Sequence, residues 1–465
     1  MAKKRLKRFW ALILILNPIA SLAFGLWVFS LPGTLGLVRW DSFYRLLVGL
    51  VLSLGLWAPA LWVVGRVFLR KRKWISKIWR AGVALLSVVT LLFTLGAWGY
   101  LIAQPMLKSG DKPPVLLLSS HSGAEMPDLI LATWTKARRK FAASLSSETE
   151  STRSVLSDSA RVHRLLFSKL QPERVYTYQL EGTEPISFRA PPDIALEGSK
   201  PLKAVFSSDA HYGSSKRYAE KTAGMMDQWL NRKDEIDLFC LLGDITELGF
   251  MDSDWQVALD SLSPVFSQIP MIPVIGNHDL LFQGYRHYLD YLHPEGRTGF
   301  EDLYRRVDIG PVHFFLLNAV WGTEDVSREQ LAWLEAQLAS IPKDHWKVVL
   351  SHAYFYASGS TFAGEPWYDN REMIRIFGPI FEKHGVDLVV SGHNHLLEVL
   401  EHAGVTYAVV GAMGAPLDTI TYRSPASIWC RDALGWMEVT WTAREATLQF
   451  FQWDGVPLFS HTLSK

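Results

Sequence analysis

Five short apolar segments between residues 202 and 390 are each followed by residues of the types that bind metal ions. The segments are 202–206, 237–242, 271–275, 346–350 and 387–390. Their length and apolarity predict buried strands, and helical segments are predicted between or beside them, at 214–231, 252–268, 328–339 and 371–384. Strands that alternate with helices indicate an α/β layer fold, whose ligand site lies beyond the carboxyl ends of the strands.

The residues after these five runs form an ordered set of motifs. In chain order they are Asp209 and His211 in D-x-H, Asp244 in G-D, Asn277, His278 and Asp279 in G-N-H-D, His352, and His393 and His395 in G-H-x-H. Each motif alone is weak, because a single Asp or His at a strand end is usually a turn residue. Their agreement at five strand ends is strong, and imidazole with carboxylate suits zinc, iron or manganese better than calcium or magnesium.

This ordered set resembles the calcineurin-like metallophosphoesterase superfamily, over about residues 200–415. The resemblance implies a four-layer αββα sandwich with two metal ions at the strand ends. It also implies that one ion is bound by Asp209, His211 and His395, the other by Asn277, His352 and His393, and that Asp244 bridges both. By the same resemblance, His278 faces the substrate phosphate and the leaving group, with Asp279 behind it.

Such a site predicts phosphoester hydrolysis. A water that bridges two cations loses its proton near neutral pH and becomes the nucleophile, and phosphoryl transfer otherwise needs mainly positioning and charge neutralisation. We expect His278 to protonate the departing alkoxide while Asp279 fixes its tautomer. The alternative is that the pair is only a structural hydrogen bond.

Position 247 bears on which metals are expected among iron, manganese and zinc. Purple acid phosphatases, a subgroup of the superfamily, carry a Tyr three residues after the bridging Asp, and this Tyr gives the colour and favours ferric iron. Here that position is Glu247, and His211 stands where the purple enzymes have a non-ligand. We therefore expect the generic ligand set, two divalent or trivalent ions and a colourless enzyme.

An aromatic, glycine-containing loop follows His352, at 353–370. Its aromatic residues include Tyr354 and Tyr356, which we consider as candidate substrate-binding residues. A loop of this kind beside the metals would serve as a lid over the leaving group. The alternative is that its aromatics are buried against the second sheet, since aromatic side chains serve cores as readily as sites.

The N-terminal region predicts about three membrane-spanning helices. The runs 9–31, 46–65 and 81–107 contain no charged residue, and each supplies the roughly 20 residues that cross a bilayer core. Three buried core helices are the alternative, but a soluble core helix rarely lacks a polar face for so long. Residues 1–106 hold 14 Lys and Arg but one acid, Asp41, and the remaining residues hold 33 basic against 45 acidic ones. This acidic remainder argues against nucleic acid as a partner.

The basic residues cluster at 3–8 and 66–80, which the positive-inside rule places in the cytoplasm. Three crossings then place the catalytic part outside the cytoplasm, at a cell membrane whose lipid bilayer is a partner. Residues 20–23 have small residues in A-x-A-like spacing, so the first run is alternatively a cleaved signal peptide. Cleavage would leave the catalytic part on the same side.

Between the two regions, short runs at 115–118, 129–134, 161–167, 175–180 and 186–188 predict a small all-β sandwich. It resembles the fibronectin-III-like domain that precedes the catalytic domain of purple acid phosphatases, and Leu170, Pro172 and Tyr176 have the spacing of a tyrosine corner. Residues 108–114 and 191–201 are expected to be linkers. The predicted domains are therefore a transmembrane region at 1–107, a fibronectin-III-like sandwich at 111–196, and a metallophosphoesterase domain at 200–465.

The sequence thus favours a membrane-anchored dinuclear phosphoesterase that hydrolyses phosphate esters outside the cytoplasm by a metal-bridging hydroxide. Two alternatives stay open. One is a phosphodiesterase or pyrophosphatase that acts on a lipid-linked or cell-envelope substrate. The other is a non-catalytic, membrane-tethered metal-binding sensor. The two cysteines exclude a disulfide scaffold and a zinc site of four thiolates.

Overall fold

The structure, a computed structural model, describes residues 2–119, 127–296, 299–362 and 365–465. Residues 363 and 364 of the predicted aromatic loop therefore lie outside the described residues. The chain divides into two compact units, Met1–Leu107 and Lys108–Lys465.

The described part of the first unit is helical. Its helices are α1 (Ala2–Phe29), α2 (Thr34–Trp40), α3 (Ser42–Val67) and α4 (Lys73–Ala103), and a 3₁₀ turn follows at Gln104–Met106. Three segments are long and apolar enough to cross a membrane: Arg8–Phe29, Tyr44–Val67 and Lys73–Met106. The three predicted apolar helices are confirmed at slightly different bounds, whereas the short α2 is not predicted by the sequence pattern.

Polar side chains are buried where the three long helices of this unit pack together. Asn17 and Ser21 of α1 are fully buried, and Nδ2 of Asn17 donates a hydrogen bond of 2.9 Å to Oγ1 of Thr90 in α4. Gly55 of α3 lies close to Ser21 of α1, since a Cβ added to Gly55 would be 1.9 Å from Oγ of Ser21. In lipid, such close contacts and hydrogen bonds hold helices together, because apolar burial gives no driving force there.

The second unit is built from two large sheets, a small hairpin and helices. Its strands are β1 (Lys112–Leu118), β2 (Leu129–Ser147), β3 (Arg153–Phe167), β4 (Val175–Leu180), β5 (Ile186–Arg189), β6 (Leu202–Ser207), β7 (Leu238–Leu242), β8 (Met271–Val274), β9 (Arg305–Ile309), β10 (Val312–Leu316), β11 (Trp346–Ser351), β12 (Ser360–Phe362), β13 (Glu365–Trp367), β14 (Leu388–Ser391), β15 (Leu397–His402), β16 (Val405–Val410), β17 (Ser427–Arg431), β18 (Gly435–Trp441), β19 (Glu445–Gln452) and β20 (Pro457–Ser464). Its helices are α5 (Ala219–Asn231), α6 (Asp252–Phe266), α7 (Asn277–Leu280), α8 (Tyr285–Tyr291), α9 (Arg328–Ala339) and α10 (Arg371–His384), with a 3₁₀ turn at Phe300–Leu303.

The two large sheets pack face to face and make the predicted four-layer sandwich. The first has the order β20-β19-β18-β6-β7-β8-β1-β2-β4-β5, with β3 on β2, and the second has the order β17-β15-β16-β14-β11-β10-β9. One apolar core fills the space between them, and a second core lies between the second sheet and helices α9 and α10. On the outer face of the first sheet, Trp229 of α5 and Phe266 of α6 pack against Phe239 of β7.

The parallel strands at the centre of each sheet place the site. In the first sheet, β6, β7 and β8 run parallel. In the second sheet, the neighbouring strands β10, β11, β14 and β16 run parallel. Five of these strands, β6, β7, β8, β11 and β14, match the five predicted runs. Their carboxyl ends lie at one rim of the sandwich, as the α/β pattern predicts.

The strands β1–β5 exist as predicted, and at one edge they join the first of the two large sheets. The join is made by β1, which pairs with β8 in parallel, with Leu117 opposite Met271. Their buried residues, such as Leu131 and Phe167, belong to the same apolar core as the residues between the two catalytic sheets. The expected domain boundary near residue 200 is therefore bridged by shared sheet and shared core.

The expected linker at 108–114 is also structured, since β1 begins at Lys112. Nζ of Lys112 lies 3.0 Å from Oδ2 of Asp252 in α6, and both side chains are buried. Trp134 of β2 packs edge-on against Tyr291 of α8, with ring centroids 6.4 Å apart. Breaking a buried ion pair would leave an uncompensated charge, so this pair anchors the segment on helix α6.

One local feature of the predicted β region is present. The hydroxyl of Tyr176, at the start of β4, accepts a hydrogen bond of 2.9 Å from the backbone N–H of Gln171. This is the tyrosine-corner contact that the spacing predicts, and it fixes the turn before the strand.

Candidate metal centre

Tight turns after the strands place the candidate ligands, and four of these residues adopt left-handed backbone conformations. Their φ angles are 63° for Asp209, 48° for His211, 48° for Asp244 and 70° for His393. Such angles are uncommon for residues with a Cβ and cost about 1–3 kcal/mol each. Strain of this kind persists where the surrounding structure determines it, typically at functional sites.

Glycines make these turns possible by letting two backbones come together. Gly243 has a φ of 92°, and a Cβ at this position would lie 2.6 Å from the Cα of Gly276. The turns after β7 and β8 therefore touch through their glycines, which brings the residues that follow them together.

The first group of candidate ligands comprises Asp209, His211 and His395, whose ligand atoms lie within 4.8 Å of one another. Oδ1 of Asp209 is 3.8 Å from Nε2 of His211 and 3.4 Å from Nε2 of His395. The other ring nitrogen of His395 lies 2.8 Å from the carbonyl oxygen of Pro416. Both imidazoles therefore direct Nε2 toward the same carboxylate oxygen.

The second group comprises Asp244, His352 and His393, again within 4.8 Å of one another. Nε2 of His352 lies 2.8 Å from Oδ1 of Asn277 and 3.1 Å from Nδ1 of His393. Asn277 therefore joins this group through its amide oxygen. The other nitrogen of His352 is held by the carbonyl oxygen of Leu242 at 2.7 Å.

The Asp244 carboxylate lies between the two groups. Its Oδ2 is 3.5 Å from Nε2 of His211, and its Oδ1 is 3.3 Å from Nε2 of His352. One oxygen thus faces each group, which is the arrangement that a bridging carboxylate requires. All seven predicted ligand residues are brought together in this way.

Several buried atoms of the site have no hydrogen-bond partner among the described residues. They are Oδ1 of Asp209, Nε2 of His211 and Nε2 of His393. An unpaired buried polar atom costs about 1–3 kcal/mol, so a cluster of them is expected only where another group completes the contacts. Carboxylate and imidazole atoms in two linked clusters fit two transition-metal ions.

The surroundings of the imidazoles raise the pKa of two histidines of the site and lower the pKa of a third. Burial lowers the pKa of His211, but its contacts with Asp209 and Glu247 outweigh burial and raise the pKa to about 10. For His352, burial is outweighed in the same way by Asp244, and the pKa rises to about 9. Burial and the nearby charge of His352 instead lower the pKa of His393 to about 3.

The two carboxylates stay ionised despite their burial. Burial alone would raise the pKa of Asp244, but the imidazoles of His352 and His278 hold it well below its usual range. The pKa of Asp209 is likewise held low against burial by His211 and His395. Anionic oxygens are therefore available to cations at neutral pH.

His278 lies beside the first group, but its partner differs from the prediction. Its Nδ1 lies 2.8 Å from the carbonyl oxygen of Glu247, and its ring centroid is 4.5 Å from that of His211. The predicted pairing with Asp279 is wrong. The Asp279 carboxylate instead accepts hydrogen bonds from the backbone N–H groups of Gly276, Ile245 and Thr246 and from the Thr246 hydroxyl.

Asp279 therefore fastens the turn after β7 to the turn after β8, which is the structural alternative. The physical reason is that a carboxylate beside three converging N–H groups satisfies more donors than a single imidazole offers. Burial and the charge of Asp244 raise the pKa of Asp279 to about 6.

The aromatic loop contributes to the site unevenly. Tyr354 is buried and stacks on His393, with ring centroids 5.8 Å apart, so it forms a wall behind a candidate ligand. Tyr356 does not face the site, because it packs on His402 and Tyr407 of the second sheet, at 4.8 and 5.0 Å. The role of Tyr356 in substrate binding therefore stays a prediction, to which this packing adds no support.

Sequence reasoning missed three contributors to the site. Trp321 and Trp367 pack around the His393 ring at 5.8 and 4.7 Å, and the carboxylate of Glu247 contacts the ring of His211. Trp321 lies far from any motif, so no local signal could have revealed it, whereas Trp367 belongs to the predicted aromatic loop at 353–370. The sequence shows that Glu247 departs from the purple acid phosphatase pattern, but it does not show that the Glu247 carboxylate contacts His211.

Comparisons with known proteins agree with this geometry. Residues 202–397 match the family described as calcineurin-like phosphoesterase. "Probable purple acid phosphatase 20" of Arabidopsis thaliana is 28% identical over 253 residues, which cover 52% of this chain and 56% of that protein. "Purple acid phosphatase 21" of the same plant is 24% identical over 275 residues, which cover 57% and 59%. The chain thus spans somewhat more than half the length of these relatives.

A solved structure shows the same fold. The purple acid phosphatase PPD1 from yellow lupin (Lupinus luteus) seeds superposes with a TM-score of 0.65 at 16% identity, over 76% of this chain and 74% of that one. The match in sequence, the shared fold and the clustered ligand residues lead to one conclusion. This chain contains a calcineurin-like phosphoesterase domain, which includes residues 202–397.

Proposed function

We propose that this protein is a membrane-anchored phosphoesterase that uses two metal ions and acts outside the cytoplasm. The observation that carries the proposal is the pair of buried ligand clusters that share Asp244, with three of their ligand atoms unpaired among the described residues.

The residues divide into two ligand sets around a shared carboxylate. Asp209, His211 and His395 would hold one ion, and Asn277, His352 and His393 the other. Asp244 would contact both. Iron, manganese or zinc ions there would neutralise the phosphate charge and activate a water for attack. The backbone N–H of His278 donates to Oδ1 of Asp244 at 2.8 Å, which fixes the shared carboxylate between the two sets.

His278 is the proposed general acid for the leaving group. A carbonyl oxygen only accepts hydrogen bonds, so Nδ1 of His278 carries a hydrogen that points at Glu247. To act as the acid, His278 must also carry a proton on Nε2, which it gives to the leaving-group oxygen as it becomes a neutral imidazole. Glu247 thus takes the orienting role that sequence reasoning gave to Asp279.

The N-terminal unit supports the anchoring part of the proposal. Its three apolar segments are long enough to span a bilayer, and the basic clusters at 3–8 and 66–80 favour a cytoplasmic location for those ends. An odd number of crossings then places residues 108–465 on the outer side. The substrate would be a phosphate ester that is accessible from that side.

The first test separates metal binding from proton transfer. Asp244→Asn should reduce turnover of a phosphoester by at least about a thousandfold and lower the bound metal, because both ligand sets lose their shared charge. His278→Ala should reduce turnover by about 10²–10⁴-fold while metal content stays at the wild-type level. Metal is measured by mass spectrometry on purified full-length protein, and turnover on monoester, diester and pyrophosphate substrates.

Asp454→Asn, an exposed acid, is the matched control for the loss of a carboxylate and should leave both readouts unchanged. A His278→Ala protein that loses its metals would place His278 among the ligands. Metal-loaded wild-type protein that turns over none of the substrate classes would favour the metal-binding sensor.

The second test measures the protons that the protein releases when metal ions bind. With no cation bound, His211 and His352 have raised pKa values of about 10 and about 9, so both are charged at pH 7. Metal ions bind neutral imidazole, so loading chelator-treated protein should release about one proton per ion at pH 7. The apparent metal affinity should therefore rise with pH and level off near pH 10.

Calorimetry in two buffers with different ionisation enthalpies measures the released protons. Proton release should diminish toward pH 10, where the histidines are already neutral. Metal binding that is independent of pH between 6 and 9 would contradict the proposed histidine ligands.

A further inference from the structure

We propose that a pocket beside the first ligand group binds a second anionic group of the substrate, an inference that rests on the proposed function. The pocket has a volume of about 500 Å³ and is open to solvent. The residues that carry the argument are Tyr218, Lys221, Leu417, Arg431 and Trp453.

One peptide segment separates this pocket from the metal centre. The backbone N–H groups of Gly414 and Ala415 both donate to the carbonyl oxygen of Asp209, at 3.1 and 2.9 Å. The same segment accepts from the backbone N–H of Tyr218 through the carbonyl of Gly414, at 2.8 Å. It therefore contacts a candidate ligand on one side and a pocket residue on the other.

The segment continues in the same way at His395. The carbonyl of Pro416 holds Nδ1 of His395 at 2.8 Å, and Oδ2 of Asp418 accepts from the backbone N–H of His395 at 2.9 Å. Leu417, between them, lines the pocket. A substrate whose scissile phosphate lies at the metal centre can therefore extend over this segment into the pocket.

The lining is suited to an anion attached to a flat ring. Lys221 and Arg431 supply two positive charges against one acid, Asp432, and neither base forms an ion pair among the described residues. Nζ of Lys221 lies 5.2 Å from the ring centroid of Tyr218 and 5.8 Å from that of Trp453. The cations would bind a phosphate or carboxylate, and the rings would pack against an adjacent planar group.

The test compares two substrates that differ by one remote phosphate, adenosine 5′-monophosphate and adenosine 3′,5′-bisphosphate. In full-length, metal-loaded protein the KM for the bisphosphate should be about fivefold to tenfold lower. The double variant Lys221→Ala/Arg431→Ala should abolish this ratio. The matched control Lys140→Ala/Arg444→Ala, which removes two exposed cations elsewhere, should preserve it.

Equal KM values in the wild type, or a ratio that survives in the double variant, would overturn the proposal. If neither nucleotide is hydrolysed, that result counts against the proposed function and leaves the pocket untested. The affinity of the protein for each nucleotide, measured by calorimetry, then tests the pocket. Tighter binding of the bisphosphate that is lost in the double variant would uphold it, and equal binding would overturn it.

A different observation supports a second inference: Glu247 acts as a positioning residue for His211. Oε2 of Glu247 lies 2.8 Å from Nδ1 of His211, and the Glu247 side chain is one-third exposed while that of His211 is buried. A carboxylate accepts, so Nδ1 carries a hydrogen that points at Glu247, and Nε2 is the ring nitrogen that can bind a metal ion once it has lost its own proton. That Nε2 is the unpaired atom that faces Asp209 and Asp244.

Carboxylates that orient a metal-binding imidazole in this manner typically contribute 10–100-fold to metal affinity. Glu247→Ala should therefore weaken the binding of one of the two ions by about 10–100-fold. Glu247→Gln, which keeps an acceptor oxygen, should retain most of that affinity. The exposed Glu184→Ala is the matched control and should bind both ions as the wild type does.

Equilibrium dialysis with Mn²⁺ or Zn²⁺ reads out the two ions without any assay of turnover. The ion held by His352 and His393 serves as an internal reference, because Glu247 contacts neither residue in the described hydrogen bonds. A Glu247→Ala protein that binds both ions normally but melts at a lower temperature would show a merely structural role and overturn this inference.

Discussion

The shared carboxylate of Asp244 is the constraint on which the rest of the site depends. Its two oxygens face different imidazoles, at 3.5 Å from His211 and 3.3 Å from His352, and thereby join two ligand groups into one centre. Two cations held by these groups would repel each other, and a carboxylate between them would reduce that repulsion. The glycine contact between residues 243 and 276 and the left-handed backbone of Asp244 both serve to hold it there.

The architecture around this centre is more unified than a chain of separate modules. Strands β1–β5 extend the first catalytic sheet, and the buried Lys112–Asp252 pair fixes the first of them to helix α6. A domain that shares both sheet and core with its neighbour has little freedom to move independently. The β region is therefore continuous with the catalytic domain through both the sheet and the core.

The sequence predicts most strands and helices well, but it predicts contacts between residues far apart in the chain poorly. Apolar runs and helical periodicity locate β6, β7, β8, β11 and β14 and helices α5, α6, α9 and α10 within a few residues, because each depends on local pattern. Strand β1 pairs with β2 and also with β8. The second pairing could not be predicted, because these two strands are far apart in the sequence and meet only in the folded protein. Likewise, the N–H groups that capture Asp279 come from Ile245 and Thr246, which no local signal in the chain connects to it.

The most direct test of the central claim is anomalous X-ray diffraction from crystals of the full-length protein loaded with manganese or zinc. The account predicts two anomalous peaks about 4 Å apart, on either side of the Asp244 carboxylate, with His211 and His352 bound to different ions. A single peak, or a peak bound by the ring of His278 in place of Asp244, would contradict it.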